Sequence, residues 1–266
     1  AKISGQLNMS RSAFKGLLSL NGAVVGQHLF MSEQASFHEI ELTGARIGGQ
    51  LIMDGSTFHD KITMSGTEVG QDISMRDKAS FQEVDLTNSK IGGQLIMDGS
   101  TFDATLAMSG AEVLQDLFMQ KQAGFQEVNL TNAKIGGQVY INGSTFAGRL
   151  VMNGVKVGQS ILIREQTKLK EVNLANAKIG RHLDLSDSTF DGPLHLGGAD
   201  IGDSLFARST VFPVEYEVIL HFASIGSNLD LSGAPINAID LTGTPIRGEL
   251  RLGSGQGHQP TIWVNA

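Results

Sequence analysis

The feature that most constrains this chain is a repeat. IGGQLIMDGSTF begins at Ile47 and again at Ile91, and its variant IGGQVYINGSTF begins at Ile135, a strict period of 44 residues. Half of that period repeats as well. Aliphatic residues stand 22 apart at Ile3, Val25, Ile47, Val69, Ile91, Val113, Ile135, Val157, Ile179 and Ile201, and Ile225 and Ile246 follow after small length changes. Self-similarity at this spacing is the mark of stacked units. We number about twelve coils by these markers. Within each coil a second near-repeat marked by Phe14, Phe37, Phe58, Phe81, Phe102, Phe125, Phe146, Leu169, Phe190 and Phe212 divides it into 11 and 11, or 12 and 10, residues.

Each half holds an apolar-x-apolar step, as in Leu51-Ile52-Met53 or Val84-Asp85-Leu86, followed by turn residues such as Asp54-Gly55-Ser56. Alternation of period two reads as strand, and the intervening segments are too short for a helix. Met9, Met31, Met53, Met75, Met97 and Met119 share one coil position, and Met64, Met108 and Met152 share another, which accounts for all nine Met. Identical side chains repeated at one coil position are what the inside of a β-solenoid needs, because coils stack at about 4.8 Å. The fold expected is all-β: a right-handed parallel β-helix of about twelve coils, roughly 58 Å long. It fills residues 1–266 as one domain, with an irregular end at 253–266 where the pattern decays. The start at Ala1, without Met and in mid-pattern, suggests a piece of a longer chain.

A leucine-rich repeat is the rival, since FQEVDLTNSKI from Phe81 fits its template and its period spans 22. Two features oppose it. Ser89, Ala133 and Ala177 stand where that template wants Asn, and a second strand motif takes the place of the convex connector.

The residues also resemble the pentapeptide-repeat proteins, in which a small residue two places before a central aliphatic or Phe points inward with it. Ala23 precedes Val25 in this way, as do Ala45 and Ile47, Ser56 and Phe58, Ser89 and Ile91, Ala111 and Val113, Ala133 and Ile135, Ala199 and Ile201, and Ala234 and Ile236. VNLTNAKI from Val128 is closest to that consensus. The departure is in length: the family has 20-residue coils of four equal sides, and here each coil carries about two residues more. The resemblance implies a quadrilateral β-helix without catalytic residues and with a protein-binding role. Some family members mimic DNA to protect gyrase, and others are scaffolds or secreted modules.

Composition narrows the functional classes. A net charge of −7, with 20 basic residues spread along the chain, offers no cluster for a phosphate backbone, so nucleic acid is not an expected partner. With no cysteine there is no disulfide framework and no thiolate chemistry; this suits a reducing cytosol, the slightly favoured compartment, or an exported bacterial protein. No apolar run reaches the length of a membrane span. The seven His, at 28, 38, 59, 182, 195, 221 and 258, show no metal-ligand spacing, and His182 with Asp184 and His195 is the one mild grouping. No cofactor, metal or catalytic residue is expected. A pectate-lyase-like enzyme would need clustered carboxylates and Arg on one face, and none emerges.

Outward positions therefore carry the function. The residue five places after each marker is apolar or aromatic at Phe30, Ile52, Ile96, Phe118, Tyr140, Leu162 and Phe206, a candidate docking or dimerisation surface. Arg46, Glu68, Lys90, Glu112 and Lys134 alternate in sign at another position, a register device, with Lys156 and Lys178 left unalternated. Glu39, Glu83, Glu127 and Glu171 form a candidate acidic stripe, read first as a solvated face. A protein-interaction or assembly scaffold is the leading expectation, homodimer included. The alternatives are an acidic DNA-mimic inhibitor and a repeat module of a secreted bacterial effector. The mimic must answer a charge count: a rod of this length matches roughly 34 duplex charges, against a net −7.

Overall fold

A computed structural model describes residues 1–253 and 261–263. Among them every regular element is a β-strand, and all pairings are parallel. The chain climbs through four strands per coil, as the third coil illustrates: Arg46–Ile47, Leu51–Ile52, Thr57–Phe58 and Ile62–Thr63. Each strand pairs with its equivalents one coil below and above, so the molecule is a parallel β-solenoid with four faces. The first face has eleven strands and the second twelve, and the third and fourth join in one sheet. Strands occupy the segment that a leucine-rich repeat would give to a convex connector.

The interior is built of vertical files. All nine Met are buried. The Phe file runs through Phe14, Phe37, Phe58, Phe81, Phe102, Phe125 and Phe146, with consecutive ring centroids 4.8–5.5 Å apart and nearly parallel planes. The ring spacing follows from the coil spacing, so each ring contacts one above and one below. The small residues that precede the markers also point inward: Ala45, Ser89, Ala111 and Ala133 are at most 1% exposed.

The two surplus residues per coil sit at the corner between the second and third faces and at that between the fourth and first. Each of these turns places a residue in the left-handed region, such as Gly55 (φ 62°) and Gly66 (φ 64°) in the third coil. Alternate coils lengthen the first of these turns by one more residue and use two left-handed residues in succession: Glu33-Gln34, Asp77-Lys78, Lys121-Gln122 and Glu165-Gln166. The following step shortens by one residue, which restores the register and explains both the 12-and-10 division and the 44-residue period. In mid-rod the third and fourth faces merge into continuous strands, Thr101–Ala107, Gly124–Asn129, Thr145–Val151 and Lys168–Asn173, with register shifts such as the one between Phe102 and Thr105. That corner is therefore a bulge, where four equal sides imply a turn.

Near the C-terminus, residues 261–263 form a strand on Ala238–Asp240, within the stretch expected to be irregular. Residues 254–260 and 264–266, His258 included, lie outside the described residues.

Candidate functional site

The second face gathers the apolar outward residues. Register pairs Phe30 with Ile52, Ile96 with Phe118, Phe118 with Tyr140, and Tyr140 with Leu162. All seven candidates, from Phe30 to Phe206, lie in this one file and are half-buried. Ser74 interrupts it between Ile52 and Ile96, and Asp184 between Leu162 and Phe206. Ile96, Phe118, Tyr140 and Leu162 are thus contiguous over four coils. At the centre the Phe118 and Tyr140 rings stack 4.8 Å apart with planes 2° from parallel.

Polar side chains border both edges of this file, two residues before and two after each outward position. They cap turn amides of the next coil: Asp72 Oδ1 accepts from Gln94 N at 2.8 Å, Asp116 Oδ1 from Gln138 N at 2.8 Å, and Asp54 Oδ1 from Arg76 N at 2.9 Å. The result is an apolar strip walled by groups that already satisfy the backbone, the core-and-rim pattern of protein interfaces. At the C-terminal end Arg208 lies over Phe206, 4.3 Å from the ring centroid, and donates its Nε–H to Asp230 Oδ2 at 2.7 Å. Burial by itself would raise the Asp230 pKa. Hydrogen bonds from Ser232 and Arg208 outweigh it and hold the carboxyl at about 2, against an ordinary 3.8.

The glutamates occupy one file, and it is mixed in sign. Lys61 bridges Glu83 at 2.7 Å, Arg149 bridges Glu127 at 2.9 Å and pairs in register with Glu171, and Thr105 stands opposite Glu127. Glu39, Glu83, Glu127 and Glu171 therefore fall on alternate coils with neutral or cationic neighbours between them. The alternating charges of the first face stack as expected, with Arg46 3.2 Å from Glu68 and Lys134 2.5 Å from Glu112. Lys134, Lys156 and Lys178 stack directly on one another.

The chain is a parallel β-solenoid repeat protein. No family model matches it, and no curated protein matches it. Among solved structures it resembles that of HetL, a pentapeptide-repeat protein involved in heterocyst differentiation regulation, from the cyanobacterium Nostoc sp. strain PCC 7120. That alignment covers 88% of this chain and 89% of HetL at 16% identity, with a TM-score of 0.28.

Two further features of this solenoid depart from the repeat, the second of them at the two-residue insertion that the sequence places at 211–217. Leu114, 65% exposed, stands in a file otherwise filled by Gly26, Gly48, Gly70, Gly92, Gly136, Gly158 and Gly180, and it separates two shallow grooves on the first face of about 510 and 670 Å³. Val211, Val214, Tyr216 and Phe222 of the lengthened tenth coil are all exposed, and Phe222 holds a φ of 56° at a corner served elsewhere by Gly or Asn. A missing Gly or Asn in an aligned column signals Leu114 and Phe222, and the two added residues of the tenth coil signal 211–216. The His182 grouping does not assemble: His182 and Asp184 belong to the second face and His195 to the fourth. His182 instead sits 3.4 Å from Asp203. Among the described residues no group of three or more His, Asp or Glu could hold a metal ion, and no helix is long and apolar enough to cross a membrane.

Proposed function

We propose that this chain is a non-catalytic interaction scaffold of the pentapeptide-repeat type, and that the second face is its docking surface. One observation carries the reading: Ile96, Phe118, Tyr140 and Leu162 form an uninterrupted half-buried apolar strip over four coils, bordered by polar groups occupied with the backbone. Scattered surface apolar residues need no explanation, whereas a contiguous strip walled by polar groups does. Repeat rods bind through such extended faces, since each coil adds one more row of side chains at fixed spacing. The inward placement of the small residue and the central aliphatic supports the family assignment. The DNA-mimic reading falls behind because Lys61 and Arg149 break the glutamate file.

Photo-crosslinking tests the surface. A photoreactive side chain at position 96 or 162 should capture a protein in cells, and the same probe at Thr63 or Asn129 on the fourth face should not. Equal capture from both faces, or none from the second, would remove the second face as a docking site.

A further inference from the structure

Resting on that reading of the second face, we propose that its occupant is a second copy of this chain. The two copies lie antiparallel, face to face, about a two-fold axis that passes between Phe118 and Tyr140.

The outward file reads nearly the same in both directions from that point. Turning the rod over about an axis in the plane of the face sets Phe118 against Tyr140 of the second copy, Ile96 against Leu162, and Ile52 against Phe206. The only polar steps in the span, Ser74 and Asp184, then fall opposite each other. A foreign ligand has no need of this symmetry, but an isologous interface is self-complementary by construction. The stacked aromatic pair lies at the centre, where the energetically dominant residues of interfaces concentrate.

Charge supports the same arrangement. The rotation keeps each edge of the strip against its own equivalent, so Asp54 meets Arg208 of the second copy and Asp98 meets Arg164. These residues already make pairs within one chain: Asp54 with Arg76, Asp98 with Lys121, Arg164 with Asp184 and Arg208 with Asp230. Contact between copies joins them into larger networks of alternating sign. The rotation also sets Asp72 of one copy opposite His182 of the other. A parallel dimer would instead lay every residue on its own copy, with Asp184 against Asp184, and like charges directly opposed are destabilising.

The symmetry ends one coil beyond Ile52, where Phe30 would meet Asp230. Eight coils at about 4.8 Å, with a face about 15 Å wide, bury roughly 580 Å² per copy and roughly 1,150 Å² in total. That lies at the low end for specific complexes, so the dimer is concentration-dependent.

The absence of cysteine makes single-site labelling clean. Spin labels on the full chain at Gln138→Cys and, separately, at Gln50→Cys report on the same edge of the strip. Pulsed dipolar spectroscopy should give a separation under about 20 Å for the first and about 34 Å or more for the second. Sedimentation should show Phe206→Asp weakening the dimer at least tenfold and Phe30→Asp leaving it unchanged, with circular dichroism confirming that both fold. Equal separations at the two label sites, or a chain still monomeric at about 0.5 mM, would overturn the proposal. A monomer whose position 96 still captures a different protein would remove the second copy while leaving the docking face standing.

Discussion

Gly110 leaves open the space that the side-chain oxygen of Asn88 occupies, 2.4 Å from where a β-carbon would stand. The same pairing recurs every second coil, with Asn132 beneath Gly154 and Asn176 beneath Gly198, and both members of each pair have left-handed backbone. Alternation of Asn and Gly at this corner is thus a packing requirement as well as a conformational one. Gly110→Ala should lower the unfolding free energy by about 1–3 kcal/mol. In an Asn88→Gly background the penalty should shrink, since only the backbone strain remains. Urea unfolding of the four proteins in this cycle checks it, and additive penalties would show that the contact is not the cause.

The Phe file contains its own control. Phe81 is sandwiched between Phe58 and Phe102, each 4.8 Å away, whereas the eighth coil fills the equivalent place with Leu169. Phe81→Ala should cost about 3–5 kcal/mol through the cavity it opens, and Phe81→Leu no more than about 1.5 kcal/mol. Thermal unfolding followed by circular dichroism separates the two, and equal losses would mean that the file does not pack as a ladder.

Asp230 imposes a pH dependence with a definite sign. Its folded pKa of about 2 lies below the unfolded value near 3.8, so the stability it contributes is complete above pH 4 and is lost as pH falls towards 2. The difference amounts to about 2 kcal/mol. Asp230→Asn should therefore be less stable than the parent at neutral pH and equal to it near pH 2. Parallel stability curves across that range would contradict the assignment.

On the first face, Lys156 has a lysine in register both below, at Lys134, and above, at Lys178. Lys156→Glu restores alternation and should stabilise the chain by about 0.5 kcal/mol at low salt. The gain should vanish in about 1 M salt, where screening acts within a few ångströms. A loss of melting temperature at low salt would count against the stacked-charge account.

Much of this architecture was legible in the primary structure, because a strict repeat converts position in the coil directly into position on a face. Met53, Met75 and Met97 line up, and Phe118 meets Tyr140, for that reason. The features that were missed come from departures within aligned columns. Lys61 and Arg149 interrupt the glutamate file in coils where the glutamate period of 44 does not look, and Phe222 replaces a Gly or Asn that the corner otherwise uses. His182 and His195 are near in sequence, but the intervening corners carry them to opposite faces.

The chain's repeat on its own determined how many coils stack, which side chains turn inward and which residues follow one another along the rod. Tertiary structure alone decided how the four faces join: where two left-handed residues absorb an extra position, where the third and fourth faces merge through a bulge, and which groups wall the apolar strip. The physical reason is that a 22-residue period specifies neighbours one coil away, whereas contacts around a coil depend on turn geometry. Several backbone conformations of equal length can close such a turn, and packing of the coils above and below selects among them.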